Sequence, residues 1–217
     1  NAGLVGSEMC IRDRVKEGFE ADDIIGTIAK KVKSENFETY MVTPDKDFAQ
    51  LVDESIYMYR PVFGGGYEIW GVNEVLEKFG ISQTSQVIDF LAMKGDSVDN
   101  IPGLPGVGDK TAKKFLKEFG SLEGLLQNTT ELKGKLKEKI EQNKELGILS
   151  KKLATIITDV PIDYNIEELK LNVTNLDKAR KIFEELEFRR IISSLNSIFS
   201  INNEKNKSEP QKIKEEN

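Results

Sequence analysis

Seven carboxylates stand in three short groups: Glu20-Ala-Asp22-Asp23, Thr43-Pro-Asp45-Lys-Asp47 and Gly95-Asp96-Ser-Val-Asp99-Asn100. Brought together, they repel one another strongly unless cations sit among them. Directly after the third group runs a glycine-rich segment, Gly103-Leu-Pro-Gly106-Val-Gly108-Asp-Lys110-Thr111-Ala. Glycines there permit positive φ or a close backbone approach, and Lys110-Thr111-Ala-Lys113-Lys114 then opens a helix. Amides of such a hairpin and of a helix N-terminus suit a phosphate, with Lys110, Lys113 or Lys114 adding charge. An all-oxygen ligand set beside a phosphate cradle points to metal-dependent chemistry on a nucleic-acid backbone.

Each feature also has a plainer reading. Glu20, Asp22 and Asp23 suit the positive end of a helix dipole. Asp45 can cap a turn over Lys46 to Leu51, and Asp96 and Asp99 can turn the chain between helices. The hairpin can be an ordinary interhelical turn; it lacks the spacing of a Walker loop and is not a dinucleotide loop following a strand. The lysine-rich stretch Lys133 to Lys152 reads as a solvated helix face. The plainer readings leave unexplained why all three acidic groups fall at element ends within one short region. Two cations roughly 3.5–4 Å apart need several carboxylates between and around them.

The elements that must position these groups follow from periodicity. Glu20 to Ser34 reads as a helix with Ile24, Ile25, Ile28 and Val32 on one face and lysines late in the run. Glu20 and Asp23 share a face of it. Thr39 to Thr43 is a short strand ended by Pro44, so Asp45 and Asp47 lie just past its carboxyl end. Ile56 to Tyr59 is a second strand, Glu68 to Trp70 a short third. Beyond Val72 the pattern is helical: Asn73 to Phe79, Ser85 to Lys94, Lys110 to Phe119, Leu122 to Gln127 capped by Ser121, one long helix from Lys133 to Lys152, then Asp177 to Leu186 and Arg189 to Phe199. Leu153 to Thr158 is expected to return as a strand. Strand, helix and strand imply an α/β class with a parallel sheet, whose site lies beyond the carboxyl ends of its strands.

Composition narrows the chemistry. The chain has 217 residues, 38% hydrophobic and 31% charged, with a net charge of −6. That charge argues against a general basic coat but leaves room for a local basic patch. Histidine is absent, which removes Ser-His-Asp and Cys-His catalysis and His-ligated zinc. One cysteine, Cys10, excludes an internal disulfide framework and fits a reducing compartment. No apolar run reaches the length of a membrane span. Residues 1–14 fit neither a signal peptide nor the pattern that follows, so native sequence is expected to begin near Val15. Residues 200–217 are polar and read as a disordered linker or tail.

In this order the motifs resemble the 5′-nuclease family: the 5′→3′ exonuclease domain of bacterial DNA polymerase I and its flap endonuclease relatives. The resemblance spans roughly Gly18 to Leu195. It rests on Gly18-Phe-Glu20-Ala-Asp22-Asp23, Thr43-Pro-Asp45-Lys-Asp47, and Gly95-Asp96 through Asp99-Asn100-Ile-Pro-Gly103 running into Gly106-Val-Gly108-Asp-Lys110-Thr111-Ala. It implies a partial PIN-like parallel-sheet nuclease core (15–95) followed by a helix–hairpin–helix DNA-binding module and closing helices (96–199). It also implies hydrolysis of DNA phosphodiesters at 5′ ends and flap junctions with two Mg²⁺ or Mn²⁺ ions. Glu20, Asp22 and Asp45 would lie toward the first ion and Asp47, Asp96 and Asp99 toward the second, with Asp23 supporting. At the hairpin, K⁺ on backbone carbonyls and duplex phosphate on the amides are implied across Gly103 to Gly108. The partner is flapped, nicked or duplex DNA, the setting a bacterial cytoplasm beside the nucleoid, and polymerase domains are expected to follow in the parent chain.

The resemblance implies one departure. The family's opening strand with its metal-binding Asp, a second early Asp and the basic helical arch have no counterpart before Val15, so roughly the first third of the domain is expected to be missing. An exposed sheet edge would follow. Two other functions therefore stay open: a fragment that only binds duplex DNA, and a stand-alone 5′-nuclease. A small-molecule phosphohydrolase is disfavoured by the helix–hairpin–helix.

Overall fold

The computed structural model describes residues 13–169 and 176–195. Residues Asp13–Tyr164 form one compact unit; the described residues after them belong to a second. The expected junction at 95/96 falls inside the first unit.

Helix α1 (Ala21–Lys33) opens where the extended backbone of Glu20 ends. The Glu20 N–H donates to Asp23 Oδ2 at 3.2 Å and the Asp23 N–H to Asp22 Oδ1 at 2.8 Å. These carboxylates satisfy donors that a helix start leaves free. Lys30, Lys31 and Lys33 face the negative end of the dipole in the last turn. Ile24, Ala29 and Val32 are buried.

Strand β1 (Thr39–Val42) pairs in parallel with β2 (Ile56–Pro61). Strand β3 (Tyr67–Trp70) returns antiparallel to β2, so the sheet is mixed and ordered β1-β2-β3. The turn between β2 and β3 is too short for a parallel crossover, so the expected parallel pairing is carried by β1 and β2 and the third strand returns antiparallel. Met41, Ile56, Met58 and Trp70 enter the core from one face of the sheet. The other face carries Tyr40, Val42, Tyr67 and Ile69, all exposed, with Tyr40 stacked on Tyr57 and Tyr59 on Tyr67. Among the described residues the outer edge of β1 pairs with no strand.

Helices α2 (Val72–Phe79), α3 (Gln86–Lys94), α4 (Asp109–Phe119) and α5 (Leu122–Gln127) follow as the periodicity predicts. The expected long helix over 133–152 is instead two: α6 (Gly134–Gln142) and α7 (Lys144–Ala154). Asn143 breaks it, its side-chain amide donating to the Lys139 carbonyl at 2.7 Å in place of a continuing helical bond. The break lets Ile140 and Ser150 both reach the interior. Leu153 to Thr158 is no strand either; side chains of other elements take its backbone groups. The core is continuous from Met58 under the sheet, through Leu91 and Met93 of α3, to Leu122, Leu125 and Ile140. Each such fully buried side chain contributes roughly 1.5–3 kcal/mol.

In the second unit, helix α8 (Leu176–Glu185) and a helical turn at 189–195 are described, near the expected bounds. Phe183 and Phe188 lie 6.4 Å apart there. The expected leader, the end of the last helix near Phe199 and the tail from 200 lie outside the described residues, except Asp13 and Arg14 of the leader.

Candidate active site

Strand β1 ends at Val42, and the chain turns at Pro44 into a 3-10 helix over Lys46–Leu51. Asp45 caps it, its Oδ1 accepting from the Asp47 N–H at 3.0 Å. Asp47 is thereby turned inward and buried while Asp45 stays exposed. Arg60 of β2 braces this turn from behind: its Nη2 donates to the Pro44 carbonyl at 2.8 Å and its guanidinium lies 3.9 Å from the Trp70 ring centroid.

The third group sits in a closed loop after α3. The Asp96 N–H donates to the Ile101 carbonyl at 2.8 Å and the Ile101 N–H returns to Asp96 at 2.7 Å. Asn100 takes a positive φ of 56° at the turn, which asparagine tolerates better than most residues. Gly95 and Gly103, at φ 78° and 66°, make the loop possible. A Cβ on Gly103 would stand 2.5 Å from the Gly95 nitrogen, and one on Gly95 would stand 2.7 Å from the Ile101 carbonyl oxygen.

These loops and the start of α1 converge. Glu20, Asp22, Asp23, Asp45, Asp47 and Asp99 line one cleft with Asn100 and Ile101. Asp47 and Asp99 of this lining and the neighbouring Asp96 offer carboxylate oxygens all within 4.8 Å of one another. All seven predicted carboxylates therefore lie in one region, and they are not equivalent. Asp23 is buried with both oxygens engaged: Oδ2 accepts from Glu20 and Oδ1 from the Ile157 N–H at 2.7 Å. Its geometry is that of a brace between α1 and the segment after α7.

The electrostatics follow the packing. Burial, and then the charge of Asp45, push the Asp47 carboxyl up to about 6. Burial likewise raises Asp22, with Asp23 and Asp45 adding to it. Asp96 is held below the usual carboxylate range by the Lys46 ammonium that donates to it. Asp47 Oδ1 is buried and accepts no hydrogen bond. A buried carboxylate oxygen without a donor is costly, and a hard cation coordinated by oxygens would satisfy it. The residues present thus fit a divalent cation.

Sequence reasoning missed the residues that hold this arrangement. Gln50 Nε2 donates to the carbonyls of Asp47 (3.0 Å) and Ala154 (2.9 Å), and its Oε1 accepts from the Ile156 N–H at 3.0 Å. Thr27 Oγ1 accepts from Val160 at 3.1 Å. These bonds explain why residues 155–158 join no sheet. Gln50 lies three residues past Asp47, a spacing that could have flagged it; Thr27 and Arg60 left no such signal.

The hairpin divides in two. Gly103 is buried and its N–H donates to Ser150 Oγ at 3.0 Å, so it is unavailable as the phosphate donor expected of it. Gly106 and Gly108 are exposed, and among the described residues their N–H groups have no partner. Lys110 is exposed at the start of α4 and Thr111 half-buried beside it. Lys113 turns back to pair with Asp109 at 3.0 Å and to pack on Gly80, while Lys114 pairs with Glu118 at 3.7 Å.

An acidic cleft at the carboxyl end of a parallel strand pair thus leads directly into a glycine hairpin that opens a helix. A family model described as the N-terminal resolvase-like domain of 5′-3′ exonuclease matches residues 5–80, and one described as the C-terminal SAM fold of 5′-3′ exonuclease matches residues 82–177. The chain belongs to the 5′-3′ exonuclease family. It is 42% identical over 181 residues to DNA polymerase I of Bacillus subtilis, covering 82% of this chain and 20% of that protein. It is 35% identical over 182 residues to the 5′-3′ exonuclease of Aquifex aeolicus, covering 84% of this chain and 61% of that one. The chain thus spans about a fifth of the polymerases it matches. Its fold is shared with the T5 5′-exonuclease solved with bound zinc, at a TM-score of 0.57 and 24% identity, over 65% of this chain and 51% of that one. No described helix is long and apolar enough to cross a membrane.

Proposed function

We propose that this chain carries the carboxylate site of a 5′→3′ exonuclease and 5′-flap endonuclease that hydrolyses DNA phosphodiesters with two divalent cations, Mg²⁺ or Mn²⁺. The observation that carries the proposal is the convergence of seven carboxylates from three separate segments on one region, where a buried oxygen of Asp47 accepts no hydrogen bond. Asp47, Asp96 and Asp99 would hold one cation; Glu20, Asp22 and Asp45 would face the other. Cations bound there supply an activated water and stabilise charge at the phosphorus. Asp23 and Gln50 fix the spacing between α1, the 3-10 helix and residues 154–157, so the ligand groups do not drift apart. The free amides of Gly106 and Gly108, with Lys110, would grip a duplex phosphate without reading its base. K⁺ at the hairpin carbonyls belongs to the same proposal. Relatives named DNA polymerase I support a setting in DNA repair and primer removal, in a bacterial cytoplasm, within a longer protein followed by polymerase domains.

The test is cleavage of a labelled 5′-flap substrate with and without Mg²⁺, by the chain and by Asp45→Ala. Mg²⁺-dependent product that the variant reduces at least about 100-fold is expected. Duplex binding without metal-dependent cleavage would instead select the reading of a DNA-binding module, which the free hairpin amides favour.

A further inference from the structure

Lys46 stands between the two carboxylates of the strand-end group, and its ammonium reaches across to the third group. It donates to Asp96 Oδ2 and lies 3.8 Å from Asp47 Oδ1. Among the described residues neither carboxylate has another ion-pair partner. The other Asp96 oxygen, Oδ1, accepts from the Val98 N–H at 2.9 Å. Asp47 Oδ1, the other atom facing the ammonium, accepts no hydrogen bond. Two of the three carboxylates that would hold a divalent cation in this half of the site, Asp47 and Asp96, therefore already face a cation of the chain's own.

We propose that Lys46 is an internal cation that keeps Asp47 and Asp96 together before metal arrives, and that a divalent ion enters this half of the site by exchange with it. The inference rests on the two-cation reading above. Three carboxylates with oxygens within 4.8 Å of one another repel without a positive charge among them. An ammonium is a compact, strongly hydrated charge on a flexible stem, readily returned to water. The Lys46 side chain keeps 38% of its exposure, so the way out is open. Lys46 acts here as a positioning residue that sets the affinity of the site.

The test is Mn²⁺ titration followed by electron paramagnetic resonance of the free ion, together with thermal unfolding in chelator, for the parent chain, Lys46→Met, Lys46→Arg and Asp96→Asn. Lys46→Met is expected to melt lower without metal and to bind Mn²⁺ about tenfold tighter, the size of one lost competing ion pair. Lys46→Arg keeps the charge on a fork matched to carboxylates; it should melt like the parent and bind Mn²⁺ severalfold more weakly. A general structural role would not raise affinity in one variant and lower it in the other. Unchanged or weaker binding by Lys46→Met overturns the exchange; if that variant does not fold, equal or tighter binding by Lys46→Arg does so. If Asp96→Asn binds Mn²⁺ as well as the parent does, the site reading itself fails and the exchange with it. That outcome is distinct from one in which Asp96→Asn loses the ion while the lysine variants change nothing.

Discussion

Asp47 shows how a single side chain stores the tension of this site. Its backbone is capped by Asp45, its neighbour Lys46 is drawn toward Asp96, and its own Oδ1 is buried without a donor. With the carboxyl raised to about 6 from an ordinary value of 3.8, the folded chain holds a proton between those values that the unfolded chain has released. Stability from this group is therefore present at low pH and lost as pH rises through about 6. In metal-free buffer, Asp47→Asn should raise the melting temperature by a few degrees at pH 7.5. The gain should shrink to nothing near pH 4, and a gain independent of pH would contradict the burial argument. Asp96 runs the opposite way: Lys46 lowers its carboxyl, so its contribution is present at neutral pH and lost on acidification. The acidic groups were legible in the sequence at this scale; the inequality between them was not, because burial and partner choice belong to the folded packing.

At the scale of elements, the acidic loop 95–101 depends on two glycines in backbone contact. Gly103 has a φ of 66°, and any Cβ there would stand 2.5 Å from the Gly95 nitrogen, with no flexible side chain to yield. Gly103→Ala should therefore cost roughly 3 kcal/mol and move Asp96 and Asp99 apart. Chemical denaturation and Mn²⁺ titration of the same variant check both halves of that statement. The element types came from hydrophobic period and capping residues, which act locally: Asp45 caps its 3-10 helix and Ser121 accepts from the Gly124 N–H as expected. Two elements were misread because distant side chains decided them. Residues 155–158 look strand-like by composition, yet Gln50 and Asp23 take the N–H groups of Ile156 and Ile157. The lysine-rich stretch looks like one helix, yet Ile140 and Ser150 must both reach the interior, and Asn143 supplies the break.

For the molecule as a whole, a net charge of −6 is distributed so that acid lines the cleft while Gly106, Gly108 and Lys110 are exposed at the hairpin. Duplex binding through that hairpin should weaken with salt, as counterion release requires. The double variant Gly106→Ala with Lys110→Ala should lose most affinity and show a shallower salt slope in fluorescence anisotropy. An unchanged slope would remove the hairpin from the interface. The sheet is covered on the Met41 and Met58 side, while Tyr40, Val42, Tyr67 and Ile69 are exposed on the other. Sequence by itself determined the types and order of the acidic groups, the glycines of the hairpin and most element types, because those depend on residue identity and short-range spacing. Only the tertiary structure decided that Gly103 closes a loop rather than cradling phosphate, that Asp23 is a brace, and that Lys46 bridges groups fifty residues apart along the chain. Those outcomes depend on which buried donors and acceptors meet once the chain is packed, and no local pattern encodes such a meeting.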